Sequence, residues 1–412
     1  MNKLSIKNVG PIGDGCGDAY IEINRLTVLL GPQGSGKSTI AKIYSSLAWL
    51  EKALVREEFT KEQYEAEDFF LKDVISYQGI QSYFNSKSYV HFIGKAYEFK
   101  LKNGKFSVVR LATDESFNMP KIMYVPAERN FLTAIPKPEY ISGLPKPLHS
   151  FLSEFQDAKK WAAQQQQLFL PVGDIRYQYD KDRNKSFLLG NGFKTDLLHG
   201  SSGFQSLVPL FVVTEYLANM VLNKEDDPSR ELYSLVQRNN IQDKMVKLIE
   251  QFREKRTDAD VVALLPHKLK DIAESFKYKG FINIVEEPEQ NLYPDSQKKL
   301  LFNLLKNLNK QLTNQLIITS HSPYILNFIT LATQAAGLYK NSILNTKDQK
   351  KLKSIIPQDS AIDIESVNVY ELDQLGGFKM LDKQDGYIQD SHKLNSAFDE
   401  INADLCAILD ME

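Results

Sequence analysis

The chain has 412 residues, of which 42% are hydrophobic and 25% charged, as is ordinary for a globular protein that buries a sizeable core. Its formal net charge of −2 provides no overall attraction to nucleic acid or to an anionic membrane, so DNA binding is possible but has no support from net charge. The two cysteines, Cys16 and Cys406, lie near opposite ends of the chain and give neither a disulfide framework nor zinc-site spacing.

These features lead us to expect a cytoplasmic protein. The first residues lack the apolar core of a signal peptide. The longest apolar run, 207–222, is interrupted by Thr214, Glu215 and Asn219, so it is too polar for a membrane span. We therefore expect no membrane association.

The first 30 residues predict a small antiparallel β unit that leads into a phosphate-binding loop. The stretches 3–9 and 19–24 alternate polar and apolar residues, and the apolar strand Leu26–Leu30 runs directly into a segment that fits G-x-x-x-x-G-K-[ST] at every fixed position. In such a loop the backbone amides surround phosphate oxygens, the lysine reaches the β- and γ-phosphates, and the serine hydroxyl binds Mg²⁺. The predicted nucleotide-binding residues are Gly31, Gly34, Ser35, Gly36, Lys37, Ser38 and Thr39, with Ser38 also a Mg²⁺ ligand.

The middle of the chain alternates strand and helix patterns. Residues 38–81 look helical and charged, and the stretches 89–93, 96–101 and 106–111 predict a β-meander. A buried strand at 121–125 stops at Pro126, and 130–200 reads as an insertion with a helix near 148–167 and two short strands. After a helix that follows Ser202, the range 228–277 predicts a Lys/Glu-rich helical lobe, and 330–412 predicts a C-terminal tail ending in a helix near 392–410.

Two buried strands end in residues suited to phosphoryl transfer. The strand 281–285 delivers Glu286 and Glu287; one carboxylate can hold Mg²⁺ and the other can orient the attacking water. The strand 316–320 ends at His321, which is well placed to sense the γ-phosphate. We therefore predict Glu287 and His321 as catalytic residues and Glu286 as a metal ligand.

The segment Gly200–Ser206 opens the helix that follows, and on its own it is a plain helix cap. In the order phosphate loop, Ser-Gly-x-Gln, Glu-Glu-Pro and strand-end His, however, the chain resembles ABC-type ATPases, specifically the clade of RecF, SMC proteins, OLD-type ATPases and the ATPase subunits of the anti-phage systems Septu and PARIS. The stretches that carry the resemblance are 6–12, 201–206, 286–294 and 319–326. It implies one α/β domain over 1–412: an ABC-type P-loop ATPase with a mixed sheet, an N-terminal antiparallel β subdomain and helical insertions.

The resemblance also implies a composite site. Ser202, Gly203 and Gln205 would belong to the signature that caps the γ-phosphate of ATP on the opposite subunit, so the ATPase would be a homodimer, with higher oligomers also possible, that uses ATP and Mg²⁺. The chain departs from the pattern at Glu286, where Asp is usual, at Phe204, where a second glycine is usual, and at Tyr293. The Q-loop residue is Glu128, Arg129 or Asn130, acting on Mg²⁺ or phosphate or in a structural ion pair.

Three functions compete. The first is an ATP-gated sensor or scaffold for a separately encoded effector, a nuclease, in phage defence, with 228–277 as the partner-binding lobe. The second is an OLD-type enzyme with its own Toprim nuclease, which we reject because no Asp-x-Asp follows His321. The third is a DNA-repair ATPase of the RecF or SMC kind. A transporter ATPase is a weaker fourth possibility.

Overall fold

A computed structural model describes residues 1–15, 17, 19–112, 117–165, 167–223, 246, 277–340, 345–389 and 393–409. The helical lobe predicted over 228–277 therefore lies outside the described residues, apart from Val246 and Lys277.

The described residues form seventeen strands and nine α-helices. The strands are β1 (Asn2–Lys7), β2 (Ile21–Ile23), β3 (Leu26–Leu30), β4 (Tyr89–Ile93), β5 (Tyr97–Lys102), β6 (Lys105–Arg110), β7 (Pro120–Val125), β8 (Leu168–Phe169), β9 (Arg176–Asp180), β10 (Lys185–Gly190), β11 (Phe193–Asp196), β12 (Gly280–Glu286), β13 (Gln315–Ser320), β14 (Val367–Leu372), β15 (Phe378–Met380), β16 (Lys383–Gln384) and β17 (Tyr387–Ile388). The helices are α1 (Lys37–Val55), α2 (Lys61–Tyr64), α3 (Phe131–Ala134), α4 (Lys146–Ala162), α5 (Ser202–Asn223), α6 (Pro294–Asn309), α7 (Pro323–Lys340), α8 (Thr346–Ile355) and α9 (Lys393–Leu409). Short helical turns span Phe70–Val74, Ile75–Gln78, Gln81–Tyr83, Ala127–Asn130, Pro138–Tyr140, Leu197–His199, Gln358–Ser360 and Ile364–Ser366.

A six-stranded sheet in the order β15-β14-β3-β13-β12-β7 forms the centre of the fold. Five of its strands are parallel and β15 is antiparallel to β14, so the predicted mixed sheet is confirmed. Because the parallel strands end at the same edge, the loops that follow β3, β7, β12 and β13 meet there. That edge carries the phosphate loop, Glu286 and His321.

Two cores cover the two faces of the central sheet. On one face, α1 packs between the central sheet and a five-stranded antiparallel sheet in the order β2-β1-β4-β5-β6. On the other face lie α4, α5, α6 and α7 with a four-stranded antiparallel sheet, β11-β10-β9-β8. Successive strand residues alternate between the cores: Val28 belongs to one and Leu29 to the other. The sheet is therefore buried on both faces, as parallel sheets require.

Helix α5 is long and apolar enough to cross a membrane by length and composition alone. Its apolar window is 67% buried inside the fold, where it packs against α4, α6 and β12. Its apolar character is thus accounted for by burial in the core.

The region predicted as a C-terminal tail contributes directly to the central sheet. Strand β14 is fully buried and pairs in parallel with β3, placing Glu371 opposite Leu30. Helix α7, which follows His321, and strand β14 were both missed in the sequence pattern. The predicted terminal helix is present as α9.

Candidate functional site

The phosphate loop, residues 31–36, connects β3 to α1. Gly36 precedes α1 with a left-handed φ of 98°, and a Cβ there would lie 2.7 Å from Ile12 Cγ1. At Gly31 a Cβ would lie 2.6 Å from the carbonyl oxygen of Leu372 on β14. Glycine is therefore needed at both positions, and β14 forms one wall of the loop. Ser38 and Thr39 stand in the first turn of α1, which directs its amino end at the loop.

Lys37 is folded back over the loop and is only 4% exposed. Its ammonium donates to the carbonyl oxygens of Gly31 at 2.8 Å and Pro32 at 2.7 Å. Burial lowers the pKa of Lys37 to about 8, although the carboxylates of Glu287, Glu289 and Glu286 oppose this shift. A phosphate group would replace the two carbonyl contacts with a full negative charge, which raises that pKa again.

A hydrogen-bonded chain joins three parts of the sequence at the sheet edge. Nδ1 of His321 lies 3.3 Å from the Lys37 ammonium, and its Nε2 lies 3.1 Å from Glu287 Oε1. Because the ammonium can only donate, Nδ1 is the acceptor, and Nε2–H then donates to the carboxylate. The predicted residues Lys37, Glu287 and His321 are thus brought together.

Glu287 is held in an unusual backbone conformation. Its φ is 42°, a left-handed value that a side chain with a Cβ rarely adopts, and its amide donates to the carbonyl oxygen of Thr319 at 2.9 Å. The hydrogen bond from His321 lowers the pKa of Glu287; burial opposes this shift, and the positive charges of Lys37 and Arg129 add to it. Glu287 is therefore ionised at neutral pH and suited to orienting a water molecule.

Glu286, the last residue of β12, is buried beside the loop that follows β7. It is 4% exposed, and its Oε2 accepts a hydrogen bond from the amide of Ala127 at 3.3 Å. Its Oε1 has no hydrogen-bond partner among the described residues. The neighbouring phenol of Tyr124 has a pKa raised by burial and by this carboxylate. A buried carboxylate oxygen without a partner, at the sheet edge that also carries the phosphate loop with Ser38, fits a hard cation such as Mg²⁺.

Arg129 acts on the backbone rather than on a carboxylate. Its guanidinium is 1% exposed and donates to the carbonyl oxygens of Glu286 and Glu287, each at 2.7 Å, and of Ser206 at 3.2 Å. Burial lowers its pKa to about 10. The sequence left open a structural ion pair for Arg129. The structure shows instead a clamp, in which the guanidinium links the backbone of Glu286 and Glu287 to that of α5. This is a positioning role.

Glu289 was not predicted as a site residue, yet it shapes the histidine turn. Its Oε1 accepts from the Ser320 hydroxyl at 2.7 Å, the His321 amide at 2.8 Å and the Ser322 amide at 3.2 Å. The only signal in the sequence was its place in the run Glu286-Glu-Pro-Glu289. The contacts fix the direction in which the His321 ring leaves β13.

The signature residues lie at the start of α5. Ser202 is exposed, whereas a Cβ on Gly203 would lie 2.8 Å from the carbonyl oxygen of Asn291. Gln205 turns inward, and its amide donates to the carbonyl oxygen of Leu198 at 2.9 Å. Within the described part of the chain, no hydrogen bond joins Ser202, Gly203 or Gln205 to the phosphate loop. The structure does not bring these residues to their own Lys37, and their role at a nucleotide stays a prediction.

Comparison with known proteins is consistent with a nucleotide-dependent enzyme. Residues 261–326 match the family model described as an AAA ATPase domain, a segment that includes β12, β13, Glu286, Glu287 and His321. No curated protein matches the chain significantly. The family match and the geometry of the phosphate loop together identify an ATPase with an α/β P-loop fold.

Solved structures similar to this chain include three heads of SMC proteins. An SmcHead bound to the C-winged helix domain of ScpA is 10% identical and matches over 94% of this chain and 95% of that one, with a TM-score of 0.37. The SMC head domain from Thermotoga maritima is 12% identical over 79% of this chain and 90% of that one, with a TM-score of 0.33. The Smc head domain with an extended coiled coil, bound to the C-terminal domain of ScpA from Pyrococcus furiosus, is 10% identical over 98% and 100% of the two chains, with a TM-score of 0.34.

Proposed function

We propose that the protein is a homodimeric ABC-type ATPase that hydrolyses ATP with Mg²⁺ between two copies of the chain. The observation that carries the proposal is the chain of contacts from Lys37 through His321 to Glu287. It supports the proposal because it brings together, at one sheet edge, a lysine suited to the β- and γ-phosphates, a histidine suited to sensing the γ-phosphate and a carboxylate suited to orienting the attacking water. Bound Mg²⁺ would neutralise phosphate charge, and Glu286 and Ser38 are the ligands that the chain offers for it.

We infer the dimer from the start of α5, because no hydrogen bond among the described residues joins Ser202, Gly203 or Gln205 to the phosphate loop of the same copy. Ser202 is exposed at the start of a 22-residue helix, where backbone amides and the helix dipole favour an anion. A second copy related by two-fold symmetry would present this helix end to the nucleotide of the first. Each of two sites would then use Lys37 of one subunit and Ser202 of the other.

Mixing two inactive variants tests the shared site. Lys37→Ala and Ser202→Arg should each be inactive as homodimers, but in a mixed dimer both defects fall in one site and the other site is intact. Random exchange makes about half of the dimers mixed, so up to about a quarter of wild-type turnover should return. A Lys37→Ala protein mixed with the Lys37→Ala, Ser202→Arg double variant is the matched control and should stay inactive. A fully active monomer would refute the shared site.

We propose further that the ATPase is a cytoplasmic sensor or scaffold for a separately encoded effector, a nuclease, in defence against phage. The support is the motif resemblance at 201–206, 286–294 and 319–326. The effector would bind the predicted 228–277 lobe or the C-terminal helix α9, because both lie outside the sequence motifs of the ATP site at 31–39, 201–206, 286–294 and 319–326.

Reconstitution with the protein encoded by a neighbouring gene tests the effector. The purified ATPase should leave linear DNA intact with Mg²⁺ or Mn²⁺, and cutting should appear only when the partner is added, under control of the ATP state. Metal-dependent cutting by the isolated chain that survives Glu287→Gln would instead favour an OLD-type enzyme. ATP-dependent DNA binding without an effector would favour a RecF- or SMC-like repair ATPase.

A further inference from the structure

A cavity of about 460 Å³ with a mixed polar and apolar lining lies beside α1. Its walls come from α1, the edge strand β7, the helical turns at 70–78 and the first half of α4. This volume is typical of small-molecule sites. None of residues 31–39 is among its described lining residues. The cavity therefore does not include the phosphate loop, although Tyr124, whose phenol neighbours Glu286, is part of its wall.

Three side chains in the cavity wall have buried polar atoms without hydrogen-bond partners: Tyr124, whose hydroxyl lies beside Glu286, and Ser46 and Gln78. Ser46 is 4% exposed and Gln78 5% exposed. The Ser46 hydroxyl and both ends of the Gln78 amide bond to nothing among the described residues. Buried polar groups are almost always satisfied. A glutamine with its donor and acceptor both unpaired matches a ligand that offers an acceptor and a donor side by side, such as an amide or the edge of a nucleobase.

The same cavity holds surplus positive charge. Lys52 is 7% exposed, and its ammonium lies 5.7 Å from the centre of the Tyr278 ring. It makes no ion pair with the residues that the structure describes, whereas Lys121 is paired with Glu154. Burial lowers the pKa of Lys52 to about 8. A buried ammonium without a carboxylate favours an anion beside it.

The lowered pKa of Tyr278 indicates a positive electrostatic potential around its phenol. Burial alone raises the pKa of this phenol, but Lys52, Lys121 and Arg56 outweigh burial and lower it to about 8. A negative charge is therefore stabilised at this end of the cavity. The indole of Trp49 and the ring of Tyr77 also line the wall, and aromatic faces of this kind stack with planar heterocycles.

We propose that this cavity is a second ligand site that binds a nucleoside monophosphate. The phosphate would contact Lys52, the base would lie against Trp49, and the edge of the base would pair with the Gln78 amide and the Ser46 hydroxyl. These contacts would satisfy the unpartnered Ser46 and Gln78 side chains and the unpaired ammonium at once. A simple inorganic anion would satisfy Lys52 but would leave the donor–acceptor pair of Gln78 without a complement.

The two tryptophans of the chain make the site directly observable. Trp161 packs against Tyr216, at 6.0 Å between ring centres, and does not line the cavity, so Trp161→Phe leaves Trp49 as the only indole. This variant is titrated with AMP, GMP, CMP and UMP in separate arms, and with inorganic phosphate in another. All arms contain a saturating non-hydrolysable ATP analogue and Mg²⁺, so that the phosphate loop is occupied.

At least one monophosphate should change Trp49 fluorescence saturably, at a concentration about tenfold or more below that of inorganic phosphate. Lys52→Met and Gln78→Leu should each raise that concentration about tenfold or more, and Lys42→Met, on the same helix outside the cavity, should not. Ser46→Ala provides a third, milder variant. Thermal unfolding of the unliganded variants checks their fold, because removing an unpaired buried polar group should not lower the midpoint.

Three results would overturn the proposal. One is the absence of a saturable signal with all four monophosphates, which would mean that the cavity holds only water. Another is equal affinity for monophosphate and inorganic phosphate, which would reduce it to an anion site. The third is unchanged binding in folded Lys52→Met, Gln78→Leu and Ser46→Ala proteins, which would place the ligand elsewhere.

Discussion

Raising the pH from 7 to 9 should weaken ATP binding through a single side chain, Lys37. Its folded-state pKa of about 8 in the empty site lies well below the ordinary lysine value, because burial disfavours the ammonium. ATP binds the protonated form, since the β- and γ-phosphates supply the missing negative charge. Affinity is therefore nearly full at pH 7 and below, and it is lost as the pH rises through the pKa of the empty site.

The size of the effect follows from the fraction of empty protein that carries the proton. About nine-tenths of the molecules are protonated at pH 7 and about one-tenth at pH 9, so the dissociation constant for ATP should rise about tenfold, or about 1.4 kcal/mol. Isothermal titration with a non-hydrolysable ATP analogue and Mg²⁺, in buffers of matched ionic strength, measures this change and the accompanying proton uptake.

Two variants separate Lys37 from other groups that titrate in this range. Lys37→Arg keeps a cation at every pH used, so its affinity, whatever its absolute value, should not vary between pH 7 and 9. Lys52→Met removes another lysine whose pKa is lowered to about 8 by burial and should leave the slope unchanged. A wild-type affinity that is flat over this range, or a slope that persists in Lys37→Arg, would refute the reasoning.

Three further substitutions test separate parts of the site. Glu287→Gln should slow hydrolysis by about 10²–10⁴-fold while ATP still binds, because the attacking water loses its hydrogen-bond acceptor. Single-turnover assays measure this. If Glu286→Gln abolishes hydrolysis and Glu287→Gln hydrolyses ATP at the wild-type rate, the two roles are reversed. Lys37→Ala should lower turnover by about 10²–10³ in a folded protein, as checked by steady-state phosphate release against circular dichroism. Arg129→Met should remove the hydrogen bonds from the guanidinium to the carbonyl oxygens of Glu286, Glu287, Ser206 and Pro126 and lower the free energy of unfolding by about 3 kcal/mol or more, so urea denaturation with wild-type stability would contradict the clamp.

The sequence was sufficient for the parts of the site whose chemistry is local. The phosphate loop requires glycines, a lysine and a serine at set spacings, so the motif alone locates it at residues 31–39. Glu286, Glu287 and His321 were predicted as site residues because each lies at the end of a short buried strand. Parallel strands end at one edge, and the structure has these residues there; their roles stay predictions. The mixed sheet followed from the resemblance and is confirmed by the strand pairing.

Strand β14 was missed because its polar residues find partners far away in the sequence. Asn368 and Glu371 interrupt its apolar character, yet both are buried. The Asn368 amide donates to the carbonyl oxygen of Glu22 and its Oδ1 accepts from Lys383. No local pattern encodes such partners, since they arise only when the sheet assembles.

The residues that the sequence could not assign share one physical role. Arg129 and Glu289 are charged and make their main contacts with backbone groups around the catalytic turns, the first holding carbonyl oxygens of Glu286 and Glu287, the second holding amides of His321 and Ser322. Removing a charge from water is unfavourable unless hydrogen bonds replace hydration, and here the backbone provides them. The left-handed turn at Glu287 is unfavourable by itself and persists because these contacts over-determine it. The direction of the Glu287 carboxylate therefore depends on charges that need never touch the nucleotide. If Glu287 orients the attacking water as proposed, variants at Arg129 or Glu289 should alter turnover by displacing Glu287 or His321 rather than by removing a group that reacts.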